Sequence, residues 1–247
     1  MHRIHLSARN LALFLLILSL VLYGADYLVV GKGGDIVSSF MGNLAFLPIY
    51  VLFVTLMIER ILKERERSAI RQKLNMIIGV FFSEVGTGFL RDFSVFMGNR
   101  GEMASRLGVD GAWTDGRFRS AAAFLDSFDS NVDAAKGDLN ALKSFLLEKR
   151  AFLLTLLENP NLLEHDEFTD LLWAIFHLTE ELGARGSLDE LPLSDLEHLS
   201  CDMRRAFGLL LREWLRYLKH LKDDYPYLFS LAVRTNPMNP AARVIVE

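Results

Sequence analysis

The chain has 247 residues, 51% of them apolar, a formal net charge of −4 and a single cysteine, Cys201. One thiol excludes an intramolecular disulfide framework and fits a reduced cytoplasm, where such a residue is usually a small buried hydrophobe. Charge is segregated, +1 over residues 1–58, +3 over 59–73 and −8 over the remainder, and an acidic distal part argues against nucleic acid as a partner, because phosphate binding needs clustered lysine and arginine on one face.

From Asn10 to Ala25 there is no charged residue, and after Asp26 the run resumes through Tyr27, Leu28, Val29 and Val30. A helix rises 1.5 Å per residue, so about twenty residues match a hydrocarbon core of about 30 Å. Ile36 to Ile58 is likewise free of charge, with Pro48 inside it; proline breaks a helix in water but is tolerated, with a kink, in lipid. The sequence therefore predicts a transmembrane hairpin over 1–58, with spans at about 10–30 and 36–58 joined by the turn-prone Gly31-Lys32-Gly33-Gly34-Asp35. Arg3 and Arg9 precede the first span and Arg60, Lys63, Arg65, Arg67, Arg71 and Lys73 follow the second, against Lys32 alone in the link. That asymmetry puts both termini on the cytoplasmic side, here of a bacterial inner membrane.

Two other readings compete. A basic start followed by Leu11 to Leu22 resembles a secretory signal, but cleavage after Ala25 would place Tyr23 where a small side chain is wanted, and the second span would still anchor the product. A buried core helix of a soluble protein would not end abruptly in dense charge at Glu59-Arg60.

Residues 59–98 read as a charged stalk and a membrane-proximal helix. Glu59 stands four residues before Lys63, a helix-supporting pair, and the six basic residues from Arg60 to Lys73 form a membrane-interface set able to rest on anionic headgroups. Met76, Ile77, Ile78, Val80, Phe81 and Phe82, then Phe89, Leu90, Phe93, Val95 and Phe96, make a run too short to span. It lies either on the membrane surface or in a core, and the scarcity of basic residues favours the core. Residues 99–117, with Asp110-Gly111 and Asp115-Gly116, read as a linker.

Residues 118–234 form a cytoplasmic helical bundle. Phe118, Ala122, Leu125, Phe128, Val132, Ala135, Leu139, Leu142 and Leu146 step by threes and fours, the seam of a bundle or coiled coil. Unbroken to Pro160, this helix would run about 60 Å, so the pattern predicts either a coiled-coil-like stalk or a break near Lys136-Gly137-Asp138. A second helix is predicted from an Asn161 cap to Leu182, and a third from a capping box, Ser194 with Glu197, with the stripe Leu196, Leu199, Met203, Phe207, Leu210, Trp214, Tyr217 and Leu221. Residues 235–247 read as an extended tail. The fold class is all-α.

Site chemistry is sparse. His177 precedes Glu180 and Glu181, Asp195 precedes His198 and His220 precedes Asp224 at helix-face spacing, a pattern that polar helix faces also produce by chance, so no metal ligand, cofactor or catalytic residue is assigned. No phosphate loop or nucleophile elbow occurs. Asp26 and Asp35 flank the link and are candidate pore-mouth acids. The leading expectation is a non-enzymatic, membrane-anchored interaction or regulatory protein whose partners are the lipid bilayer, further copies of itself and a soluble protein. The alternatives are a small oligomeric channel lined by the second span, or a metal-dependent enzyme in the distal bundle.

Overall fold

A computed structural model describes residues 8–30, 35–128, 130–160, 162, 165–239 and 242–245, without the side chains of 8, 9, 23, 26, 27, 30 and 35–39. The described residues are helical with no strand; one isolated bridge joins Met97 to Val132. The chain divides into two compact units, 1–69 and 70–247.

The first unit holds α1 (Ala8–Val30) and most of α2 (Asp35–Phe81), which runs on into the second. Among the described residues the helical run Phe40–Phe96 contains one stretch long and apolar enough to cross a membrane, by length and composition, and Asn10–Leu22 is a shorter apolar helix. The two helices meet through small and polar groups: the Ser19 hydroxyl donates to the Ala45 carbonyl at 2.8 Å, with Leu15, Ala45 and Pro48 buried beside it. Pro48 lies within α2 without ending it. Residues 1–7 and the link residues 31–34, with Arg3 and Lys32, fall outside the described residues, as does the side chain of Arg9.

The second unit is built around α8 (Leu193–Asp224), 32 residues long, against which pack α3 (Thr87–Phe93), α5 (Asp115–Ser127), α7 (Asp166–Ala184) and α9 (Pro226–Arg234). α6 (Leu139–Leu157) packs on α7. The apolar run after the charged segment belongs to this core. Phe81 meets Phe168 edge-on at 5.2 Å, Phe82 stacks on Tyr217 at 4.9 Å, and Phe93 stacks on Phe207 at 4.5 Å. Residues 70–97, grouped from the sequence with a membrane-proximal stalk, thus pack in the second unit. A π-helical turn at Phe82–Gly86 joins α2 to α3.

Several expectations are corrected. Residues 99–117 are not a bare linker, because α4 (Arg100–Leu107) lies there with Met103 and Leu107 buried. Of the two alternatives for the seam after Phe118, the forty-residue coiled-coil-like helix does not form and the break near Lys136-Gly137-Asp138 does. The seam is cut at 128–138, where Val132 pairs with Met97, a 3₁₀ turn covers Ala134–Lys136, and the Asp138 carboxylate accepts the Ala141 amide at 2.9 Å to start α6. α7 starts at Asp166 with the His165 ring accepting the Phe168 amide at 3.1 Å, and the expected Asn161 cap lies outside the described residues. The Ser194–Glu197 capping box is not made: the cap is Pro192, two residues earlier, and its carbonyl takes the amides of Asp195 and Leu196. Cys201 is exposed rather than buried. The tail is anchored, since Asn236 and Met238 are buried and the Asn236 amide donates to the carbonyls of Leu107 and Val109 at 3.4 and 3.3 Å.

The cut at 128–138 depends on Gly137. A Cβ there would stand 2.5 Å from the ring of Phe96, which is itself buried. Gly137→Ala is expected to cost the second unit about 1–3 kcal/mol, the range for overpacking a core that cannot give. Guanidinium titration of the full chain checks this by tryptophan fluorescence, because Trp113, Trp173 and Trp214 all lie in the second unit.

Candidate functional site

Among the described residues a cluster of chemically capable side chains lies where α7 and α8 face each other on either side of residues 185–192. On α7, His177 and Glu181 stand four residues apart and so share one face, with Arg185 following just past the helix end; on α8, Asp195, His198, Asp202 and Arg205 share a face at steps of three and four. Both imidazoles turn Nε2 toward a single oxygen, Asp202 Oδ2, at 3.3 Å from His177 and 3.4 Å from His198. Glu181 closes the group, its oxygens lying 3.6 Å from His198 Nε2 and 3.9 Å from His177 Nε2.

Arg185 ties the rim together. Its guanidinium forks onto Asp195 at 2.7 and 2.9 Å and reaches Glu181 Oε2 at 2.8 Å, the planar geometry in which arginine recognises carboxylates best. Those hydrogen bonds hold the carboxyls of both Glu181 and Asp195 below their ordinary range, and they push the guanidinium further up. Arg205 donates to Asp202 Oδ1 at 3.3 Å. Asp202 is 4% exposed, and its other oxygen, Oδ2, is buried without a hydrogen-bond partner. Three carboxylates thus face two guanidiniums, leaving one negative charge in excess when both imidazoles are neutral.

The other residues singled out from the sequence are dispersed. Glu180 leaves the group to accept from Arg150 at 2.7 Å. His220 pairs with Asp224 at 2.8 Å and with Asn75 at 3.3 Å, beside an open cleft of about 560 Å³ between α5 and α8. Two ion pairs lie along that cleft, Lys219 with Asp115 at 3.3 Å and Arg212 with Asp126 at 3.7 Å. Of the interface set, Arg60 pairs with Glu64 at 3.1 Å and Lys63 with Glu59 at 2.7 Å, while Arg65, Arg67, Arg71 and Lys73 are exposed on α2. The side chains of Asp26 and Asp35 lie outside the described residues. Asp202 was missed in the sequence, although one signal was present: His177-x₃-Glu181 is followed by His198-x₃-Asp202, the same imidazole–carboxylate step on two successive helices.

Family comparisons divide the chain in a similar way. The model of the MJ1433 N-terminal helical domain matches residues 4–62, and that of the C-terminal helical domain of "Uncharacterized protein MJ1433" matches residues 70–234. No solved structure matches. A curated relative, "Uncharacterized protein MJ1433" of Methanocaldococcus jannaschii, is 44% identical over 237 residues, covering 96% of this chain and 95% of the relative. Matched in both of its helical domains and over nearly the whole length of that relative, the chain belongs to the MJ1433 family.

Proposed function

We propose that the chain is a membrane-anchored, oligomeric interaction or regulatory protein, its first unit crossing the bilayer twice and its second lying in the cytoplasm to meet other copies or a soluble partner. One observation carries the reading, the outward character of the first-unit helices. Leu20 is 77% exposed and Phe53 68%, with Phe14, Ile17, Phe40, Leu47 and Tyr50 also more than half exposed. In water each such side chain forfeits about 1.5–3 kcal/mol of burial, and contiguous apolar surface on this scale marks a membrane or a large interface. The groups that do meet, Ser19 and Ala45, are of the small and hydroxyl-bearing kind that packs helices in lipid. The apolar stretch of α2 ends in Glu59 and Arg60, and the basic residues that follow are those retained on the cytoplasmic side. Exposed Trp173 on α7 supplies a side chain of the type enriched at protein interfaces.

Fractionation tests this. The full chain is expected to sediment with membranes, to resist alkaline carbonate and to be released by detergent as an oligomer; recovery in the soluble fraction overturns the reading. Leu47→Arg, near the middle of the second span, costs about 3 kcal/mol of insertion and is expected to lower the carbonate-resistant fraction measurably.

A further inference from the structure

We propose that His177, His198 and Asp202 form the three-residue core of a binding site for a divalent transition-metal ion of the zinc class, with Glu181 or water completing the coordination. The inference concerns the second unit alone and stands whether or not the first unit enters a membrane.

The donor set and its placement carry the argument. Two imidazoles and a carboxylate are the ligands of open zinc sites, and facing helices of a bundle are where such ligands converge when each helix contributes residues one turn apart. In a tetrahedral site with bonds of about 2.0–2.1 Å, neighbouring donor atoms stand about 3.3–3.4 Å apart. The separations from Asp202 Oδ2 to the two Nε2 atoms are 3.3 and 3.4 Å, and Glu181 follows at 3.6 Å from His198.

The second observation is Asp202 itself. A carboxylate oxygen removed from solvent ordinarily accepts hydrogen bonds, and here Oδ2 has none although two ring nitrogens stand beside it. Lone pairs that fail to meet a neighbouring N–H are free to meet a shared cation. Arg205, on Oδ1, fixes the carboxylate from behind as outer-sphere partners of metal ligands do, and the cluster's surplus negative charge matches a cation.

Among the described residues no group of three His, Cys, Asp or Glu side chains stands as it is in an arrangement that could hold a metal ion. The proposed site therefore needs the two imidazoles, each about half exposed, to turn about the buried Asp202. Arg185 holds one oxygen of Glu181, which leaves Oε1 or a water for the fourth position.

The test uses the full chain in detergent after treatment with a chelator. Cobalt(II) is titrated while the visible bands of tetrahedral cobalt are followed, and zinc(II) is then added as competitor. The expected result is one ion per chain in a tetrahedral spectrum, displaced by zinc, with His177→Ala and His198→Ala each weakening binding at least tenfold. Metal-free melting of the two variants is expected to match the parent, since both rings are largely outside the core, and zinc is expected to raise the melting temperature of the parent but of neither variant. Asp202→Asn, nearly isosteric, is expected to weaken cobalt binding to the same degree; should it fail to fold, the two histidine variants decide. Absence of saturable binding, or an affinity and spectrum unchanged in both histidine variants, overturns the site and leaves the cluster as an ion-pair clasp between α7 and α8.

Discussion

Phe93→Ala is expected to destabilise the second unit by about 3–5 kcal/mol, the cost of emptying a large aromatic site that cannot collapse. Phe93 is fully buried, stacks on Phe207 of α8 at 4.5 Å, and meets Phe89 edge-on at 5.3 Å and Phe96 at 5.8 Å. Each of those rings is itself closed in by the rest of the core. The neighbours therefore cannot move into the space left by the missing ring, and the transfer loss adds to the cavity loss. Against a domain stability of about 5–15 kcal/mol, one substitution removes about a fifth or more. Guanidinium titration with tryptophan fluorescence reads it as a fall in midpoint with little change in slope. Phe93→Leu, which refills most of the volume, is expected to retain most of the stability.

Glu213 is expected to take stability from the second unit as pH rises from about 4.5 to about 7. Its carboxyl is 3% exposed on α8, and burial pushes its pKa up to about 7 from an ordinary value of 4.5. Arg216 donates to it at 2.7 Å and would by itself hold the carboxylate down. Burial outweighs that contact because the guanidinium is half exposed, where water screens it, and is shared with Glu167. Below pH 4.5 both folded and unfolded chains hold this proton. Between 4.5 and 7 only the folded chain holds it, so each step up in pH favours unfolding, and above 7 the full penalty, about 3 kcal/mol, is in place. Glu213→Gln removes the titration, and its stability is expected to stay flat for this group across the window and to exceed that of the parent at pH 8. Denaturation midpoints of both proteins at pH 5 and pH 8 check this; a parallel pH profile in the variant would assign the slope to another group.

Much of the helical architecture is legible in the residues. The α8 stripe from Leu199 through Leu221 is inward as its spacing demands, because a period near 3.6 leaves a helix one apolar face to bury. Gly183 marks the end of α7 to within one residue. Capping was less readable. Ser194 and Glu197 have the right spacing, yet the helix starts at Leu193 with Pro192 as its cap, so Ser194 lies inside the first turn instead of ahead of it. The polar cluster was half readable: the three-to-four-residue steps put His177 with Glu181 and brought His198 into view, but nothing local says that Asp202 is the oxygen both rings meet. The same steps also flagged His220, which stands 22 residues beyond His198 on α8, about 33 Å along the axis, and so cannot join the group.

Local sequence determined the elements themselves: which segments are apolar enough to be helices without a polar face, where charge resumes after Ile58, and which side of α8 turns inward. These follow from hydrophobicity and periodicity, properties each segment carries by itself. Tertiary structure decided between alternatives that the residues left open, placing the apolar run from Leu74 to Met97 in the second unit and breaking the seam after Phe118 where Phe96 occupies the space beside Gly137, and it alone brought two histidines from different helices to one buried carboxylate. Each of those outcomes depends on which faces meet, and a face finds its partner only when the whole unit has closed around it.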